Sequence, residues 1–441
     1  MIFLRSHWLL VASIALVYLM AFFYISLADP GMFDVEGYPI HNGGDSGEYA
    51  LLAKNLALHG TFSLDLVTPE MFRAPGYPLF LAPLYALDHS FYLVIFIQVL
   101  LVIGSALLIC KIGERFLPPP WPAAVALVYA LDPTTIFYSL SLWSDIPFVF
   151  LVLLAIYLLF MRHRVVSSKQ GWVEIVLAGV VLGFATLARF AGEHLIWIAA
   201  LFLIFDRAQH IGYKKAILSA LVFALAAGVV LFPWYVRNYE VSGGAVGLSS
   251  VGPYALLFFD VRDFLVLNKG ITPEAADAEI LGKLPTTDKR ELRNLKYAEA
   301  EMALVKNYIL ESPLAYGIFH LAGSAKLFLG SGLRDLSLNL PNLSGALSPP
   351  LLLNAERLVR ALLLFLALIG FLSVYRPSPH RPLILLMSAL ILYTALSIGP
   401  VAYPRYRLSL EPFLLLLSAL GALTLLAWKR RRFSASITTP Q

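Results

Sequence analysis

The sequence is poor in charge and almost devoid of cysteine. Only 14% of its residues are charged, against 59% hydrophobic, whereas a soluble domain carries roughly a quarter charged residues. That deficit excludes a soluble multi-domain protein and fits a chain solvated largely by lipid. The single cysteine, Cys110, sits in an apolar run, so no intramolecular disulfide and no paired-thiol zinc or redox motif can form. Nine histidines are scattered without a metal-ligand spacing such as H-E-x-x-H. Inverted internal repeats, the mark of many transporters, are also missing. The net charge of +5 does not point to nucleic acid. The basic residues stand in short tracts between apolar runs, Arg162-His163-Arg164, Lys214-Lys215 and Lys429-Arg430-Arg431-Arg432, as cytoplasmic ends do under the positive-inside rule.

What the sequence has is apolar runs. A spanning helix needs about 20 mostly apolar residues. The runs predict spans near 8–28, 92–112, 121–138, 146–161, 173–187, 194–205, 216–234, 351–374, 383–398 and 412–428. The fold class expected is an all-α, polytopic transmembrane bundle of about 10–12 spans. Arg5 before the first run and Ser26-Leu27-Ala28 at its end also fit a signal peptide. The length of the run and the spans that follow favour an uncleaved anchor running outward. A polar segment, 29–73, then lies outside. In it 46–59 has helical spacing, with Tyr49, Leu52, Ala53, Leu56 and Ala57 on one face and Gly60 as the stop. A second short apolar helix, 77–87, lies at the interface. The longest polar stretch, 235–312, falls outside by alternation and is helical over 273–308; 313–329 reads as interfacial or re-entrant. Three parts follow: an N-terminal transmembrane module over 1–234, an extracytoplasmic and interfacial segment over 235–350, and C-terminal spans with a basic tail over 351–441.

Charges near membrane depth are costly and are functional candidates by default. One set falls on the extracytoplasmic side: Asp45, Glu48, Arg73, Asp145, Arg189 with Glu193, Arg237, and Arg405 with Arg407. Carboxylates serve as a general base or hold a metal; arginine suits phosphate, because its fork is always charged and binds bidentately. Together beside lipid they suggest a lipid-linked phosphate as substrate. Each also has a plainer role. Arg73 and Arg237 would snorkel at helix ends, Asp145 would cap a span, and Arg189 and Glu193, four apart, would neutralise each other. Arg405 and Arg407 precede a helix start, where the dipole disfavours cations, so a plain role suits them less. Asp45 follows Gly43-Gly44, and Ser46 can supply the helix cap in its place.

At these residues the chain resembles a known group. The run Gly44-Asp45-Ser46-Gly47-Glu48-Tyr49, then Ala53, Gly60 and Phe62, then Arg73-Ala74-Pro75-Gly76-Tyr77-Pro78-Leu79-Phe80 is similar to the first-loop signature of bacterial C-superfamily (GT-C) glycosyltransferases. The relatives are the protein mannosyltransferase and aminoarabinose (lipid A) transferase families. Phe232-Pro233-Trp234-Tyr235-Val236-Arg237-Asn238 resembles their Pro-Trp-x-x-Arg-Asn segment, the stretch from Gly183 to Arg189 their small-residue run ending in arginine, and Tyr403-Pro404-Arg405-Tyr406 their late Arg-Tyr element.

The resemblance implies a multi-pass enzyme of the cell membrane. Such an enzyme takes a sugar from a polyprenyl-phosphate donor at the extracytoplasmic face and passes it to a protein, lipid or glycan hydroxyl. It implies Asp45 as the catalytic carboxylate, with Glu48 as second carboxylate, metal ligand or bystander. Arg73, Arg237, Arg405 and Arg407 are implied at the donor phosphate, and Tyr49, Tyr77, Asp145, Arg189, Glu193, Asn238 and Tyr403 at the substrate. A single base at the anomeric carbon predicts inversion. Relatives often show adjacent acidic residues where this chain has Asp45-Ser46, and a Lys-Pro-Pro element where it has Arg73-Ala74-Pro75, which leaves open a divalent cation on Asp45 and Glu48. A transporter or lipid-linked-sugar flippase is the alternative; it predicts polar residues in mid-span, where these runs are nearly bare.

Overall fold

A computed structural model describes residues 7–28, 45–160, 169–375 and 380–437, without the side chains of 169 and 431–437. Arg5, residues 29–44 of the first loop with the Gly43-Gly44 turn, the Arg162–Arg164 tract and Arg376 lie outside the described residues, as do the side chains of Arg431 and Arg432. The described residues form helices joined by turns and loops, with one isolated antiparallel bridge, Ser63 to Pro69.

The helices used below are α1 Trp8–Ala28, α2 Asp45–His59, α3 Gly76–Asp88, α4 Tyr92–Gly113, α5 Trp121–Leu131, α6 Pro133–Ser139, α7 Asp145–Phe160, α8 Lys169–Ala188, α9 Gly192–Ile211 and α10 Tyr213–Ser242. They continue with α11 Pro273–Leu281, α12 Ala298–Glu311, α13 Pro313–Leu329, α14 Gly332–Asn339, α15 Pro350–Leu372, α16 Arg381–Ile398 and α17 Glu411–Ile437. Among the described residues 8 helices are long and apolar enough to cross a membrane, and α5 and α7 are shorter apolar helices. Large apolar side chains such as Trp197, Leu225, Phe232 and Leu351 face outward, as lipid requires. The chain is a multi-span membrane protein.

Several predicted spans differ from those observed: α9 runs on to Ile211 and α17 to Ile437, past the predicted ends at 205 and 428, and two others differ more. The run 121–138 is two helices, not one, because Asp132 takes an extended conformation before Pro133 and caps α6 by accepting the Thr134 N–H at 2.9 Å. The run 216–234 continues as α10 through Pro233 to Ser242, and stops only where Gly243 adopts a left-handed φ of 79°. The predicted amphipathic helix at 46–59 and the short helix at 77–87 are present as α2 and α3.

With lipid outside, close packing and buried ion pairs hold the bundle together. A Cβ on Gly370 of α15 or Gly421 of α17 would run into the other helix's backbone at Leu417 or Leu366, so these helices pack backbone to backbone. Arg360 on α15 donates to Asp132 and, at 2.6 Å, to Glu411. Arg407 is turned into the same cluster, 3.2 Å from Glu411, and also donates to the Leu327 and Gly330 carbonyls. Glu356 accepts the Gly332 and Leu333 N–H groups and so caps α14. This cluster ties the α5–α6 break to α14, α15 and the start of α17.

The segment after α10 has an apolar core of its own, including Phe258, Phe264, Ile280, Leu292 and Val305. It is pinned to the bundle by Ser250 N–H on the Met71 carbonyl at 3.0 Å and by Asn238 Nδ2 on the Gly247 and Leu248 carbonyls. Glu301 of α12 is fully buried, and neither of its carboxylate oxygens accepts a hydrogen bond. Burial pushes its carboxyl up from the ordinary 4.5 to about 8. The protonated form is the one that fits, so stability falls as pH rises from about 4.5 through about 8. Glu301→Gln is therefore expected to abolish most of that decline in the melting midpoint of the purified protein. Equal pH slopes for variant and parent would show that Glu301 is not buried as a neutral acid.

Candidate active site

The first turn of α2 carries Asp45 and Glu48, and its inner face carries Tyr49 and Ala53, buried against α3. Tyr49 meets Tyr77 edge to face at 5.0 Å. Tyr77 is itself a buried strut: its hydroxyl donates to Gln98 Oε1 at 2.8 Å, and Gln98 Nε2 donates to the Ser139 and Ser141 carbonyls. The α3 start comes so close to the end of α8 that a Cβ on Gly76 would overlap the Leu187 and Ala188 backbone. These constraints fix α2 over the start of α7, where Asp145 is 2% exposed.

One chain of ion pairs runs through the site. Asp145 accepts from Arg189 Nη1 and, at 2.9 Å, from Arg405 Nε. Arg405 Nη1 reaches Asp45 Oδ2 at 2.9 Å, and Arg73 Nη2 reaches Asp45 Oδ1 at 2.7 Å. Arg73 Nε then reaches Glu48 Oε2 at 2.5 Å. Arg293 closes the chain with a bidentate fork on Glu48, at 2.8 and 2.9 Å, and stands 4.0 Å from Glu70. Four guanidiniums thus face four carboxylates, and the formal charges of the chain cancel. Aromatic faces line it. The Arg405 guanidinium lies 3.9 Å from the Trp143 ring centre, and Arg293 lies 4.1 Å from that of Phe72.

The electrostatics follow from this arrangement. Burial alone would push the Asp45 carboxyl up, but Arg73 and Arg405 outweigh it and hold it at about 2. Burial acts on Glu48 in the same sense, and Arg293 and Arg73 hold it below the usual carboxylate range. Burial would lower Arg405, yet Asp145 and Asp45 raise it well above its ordinary value. A divalent cation does not fit Asp45 and Glu48 as they stand. Arg73 sits between them and Arg293 forks the far side of Glu48, so a metal would meet two guanidiniums at contact distance.

The structure brings Asp45, Glu48, Arg73, Asp145, Arg189 and Arg405 together, with Tyr49 and Tyr77 behind them. Arg189 and Glu193 do not pair, because α8 ends at Ala188, just before Arg189, and α9 starts anew at Gly192; Glu193 instead accepts from the Tyr235 hydroxyl at 2.6 Å. Arg237 donates to the Glu70 carbonyl and to Asn238 and lies over the Trp234 ring at 4.6 Å, so it braces the loop rather than joining the chain of pairs. Arg407 lies in the α15–α17 cluster. Tyr403 is largely exposed and lines a cavity of about 560 Å³ with Leu329, Leu338, Lys326, Arg334 and Arg357. Asp335, on the cavity wall, accepts from the Tyr138 hydroxyl at 2.7 Å, and the Tyr138 ring centre lies 5.9 Å from the Arg405 guanidinium. Sequence reasoning missed Arg293 and Trp143. Arg293 lies in a short 3₁₀ turn, Glu291–Arg293, without any periodicity to mark it.

Arg293 joins the segment after α10 to α2. Arg293→Ala is expected to speed amide exchange over 288–297 by about tenfold, as for the loss of a partly exposed charge-assisted pair. Unchanged exchange would show that the fork on Glu48 does not hold this segment down.

Residues 72–234 match the family model described as dolichyl-phosphate-mannose-protein mannosyltransferase. A search of curated protein sequences gives no significant match. Among solved structures, the archaeal oligosaccharyltransferase AglB from Archaeoglobus fulgidus, in complex with an inhibitory peptide and a dolichol-phosphate, is similar at TM-score 0.50 and 14% identity, over 99% of this chain and 53% of the archaeal one. A second structure of the Archaeoglobus fulgidus oligosaccharyltransferase, tethered with an acceptor peptide, gives 0.50 at 12% identity, over 96% and 50%. ArnT from Cupriavidus metallidurans, bound to undecaprenyl phosphate, gives 0.40 at 12%, over 94% and 77%. The chain spans about half the length of the archaeal oligosaccharyltransferases, and its likeness to them is one of fold. It is thus a membrane protein with the helical fold of the C-superfamily glycosyltransferases, and over 72–234 it resembles the dolichyl-phosphate-mannose-protein mannosyltransferase family.

Proposed function

We propose that the chain is a glycosyltransferase of the cell membrane that moves a sugar from a polyprenyl-phosphate donor to a hydroxyl at the extracytoplasmic face. The observation that carries this reading is Arg405, held between Asp45 and Asp145 over the face of Trp143. The phosphate class of the donor is supported by the family match and by the dolichol-phosphate in the AglB structure.

In this reading Asp45 takes the proton of the acceptor hydroxyl as its oxygen attacks the anomeric carbon. The bond from that carbon to the donor phosphate breaks, and its electron pair leaves with the phosphate. Arg405, with Arg73 beside it, stabilises the charge that develops there. One displacement without a covalent intermediate gives inversion. At a pKa of about 2, Asp45 is a weak base while both guanidiniums hold it. A donor phosphate that draws Arg405 and Arg73 toward itself relieves that hold and raises the basicity of Asp45. Donor binding thereby switches on the base. The cavity beside Tyr403, apolar at Leu329 and Leu338 and basic at Lys326, Arg334 and Arg357, suits the first prenyl units and headgroup of the donor.

Asp45→Asn in proteoliposomes, supplied with a radiolabelled polyprenyl-phosphate sugar and a membrane extract as acceptor, is expected to lose about 10²–10⁴-fold in transfer, with folding and donor binding retained. Turnover equal to the parent's would remove Asp45 from the chemistry. Movement of the labelled lipid across the bilayer without covalent transfer, in the parent protein, would favour a flippase.

A further inference from the structure

The end of α1 away from the first loop carries a second chemical cluster, unconnected with the ion-pair chain. His7 Nε2 lies 3.3 Å from Cys110 Sγ and 3.4 Å from Glu114 Oε1, and Cys110 Sγ lies 3.8 Å from the same oxygen. The three donor atoms form a compact triangle. Zinc bonds of about 2.0–2.1 Å to nitrogen and oxygen and about 2.3 Å to sulfur, at tetrahedral angles, give ligand-to-ligand edges of about 3.3–3.6 Å. The observed triangle is therefore within a few tenths of an ångström of three corners of a zinc tetrahedron, and side-chain adjustment alone closes the gap.

Local structure holds this triangle in place. Cys110 and Glu114 are four residues apart at the end of α4, so they share one face. Lys111 Nζ holds the other carboxylate oxygen, Oε2, at 2.7 Å, which leaves Oε1 turned toward His7. The His7 carbonyl accepts the Val11 N–H at 3.1 Å, fixing the imidazole at the mouth of α1. The thiol is buried, whereas the side chains of His7 and Glu114 are 15% and 37% exposed. The triangle therefore has an open side toward solvent, by which an ion can arrive and on which a water can complete four-coordination.

We propose that His7, Cys110 and Glu114 form a zinc site with three protein ligands that fastens the first helix to α4. The helix has reason to need it. Of its 21 residues only Ile14, Tyr18 and Ile25 are buried, and Tyr18 reaches the Ala130 carbonyl at 2.9 Å near the middle of its length. A metal cross-link at His7 strengthens the contact of its other end with α4. On binding, the Cys110 thiol gives up its proton to solvent, the sulfur becomes a thiolate ligand, the imidazole binds neutral through Nε2, and the ion keeps its charge of two. No electron is transferred, and no co-reactant is required.

The test uses the full-length, tag-free protein in detergent micelles, stripped with a chelator and titrated with Zn²⁺ alone and with Co²⁺ alone. The expected result is about one ion per chain, a near-ultraviolet cobalt–thiolate charge-transfer band, and a higher melting midpoint with Zn²⁺. Cys110→Ser should lose the band, and His7→Ala and Glu114→Gln should each weaken Zn²⁺ binding by at least about tenfold. The metal-free variants should keep the parent's metal-free melting midpoint. Absence of the cobalt–thiolate band in the parent would overturn the proposal, as would Zn²⁺ stoichiometry and affinity unchanged in Cys110→Ser.

Discussion

Arg405 joins two carboxylates that the chain delivers from far apart, Asp45 after the first membrane helix and Asp145 at the start of α7. Beside lipid, a charge this deeply buried persists only where it is paired, and the site is built around that constraint. Arg189 takes the remaining oxygen of Asp145, Arg73 that of Asp45, and Arg73 and Arg293 share Glu48. Removing any one partner exposes the next. The elements that carry these residues are locked in turn by uncharged ties, the Tyr77–Gln98 strut and the tight seat of Gly76 on α8.

A balanced network is suited to a substrate that brings its own charge. In the proposed function, a lipid-borne phosphate entering among Arg73, Arg189 and Arg405 would compete with carboxylates already in place, and what it displaced would become a stronger base. The same balance explains why a metal fits poorly at Asp45 and Glu48: the positive charge a cation would supply is already there as guanidinium. The second buried cluster, of Arg360, Arg407, Asp132, Glu356 and Glu411, obeys the same rule and holds helices together. The difference between the two clusters lies in surroundings. The first sits under the first loop and the segment after α10, and the second joins the α5–α6 break to α14, α15 and the start of α17.

Much of the fold could be read from apolar runs, because lipid demands them; α1, α4, α15 and α16 fall within a few residues of the predicted spans. The break at Asp132-Pro133 was missed because hydropathy carries on across it while the backbone does not. Asp45, Asp145 and Arg405 stood out as costly charges on one side. Arg189 and Glu193 have i,i+4 spacing in the sequence but share no helix, since one helix stops at Ala188 and the next starts at Gly192, and spacing means nothing across such a break. Arg237 and Arg407 looked like phosphate ligands because arginine at a membrane face has that chemistry. In the structure Arg237 is held by a carbonyl and Arg407 by carbonyls and Glu411, partners that only three-dimensional packing reveals. Arg293, 245 residues from Glu48 in sequence, carries no local pattern at all.

The Arg405 fork, and not merely its charge, organises the site. Arg405→Lys keeps the charge but cannot reach both Asp45 and Asp145 as a planar fork does. In proteoliposomes with a polyprenyl-phosphate sugar, transfer by Arg405→Lys should fall by about 10²–10³-fold while the protein remains folded and in the membrane. Transfer within a factor of about two of the parent's would contradict the account.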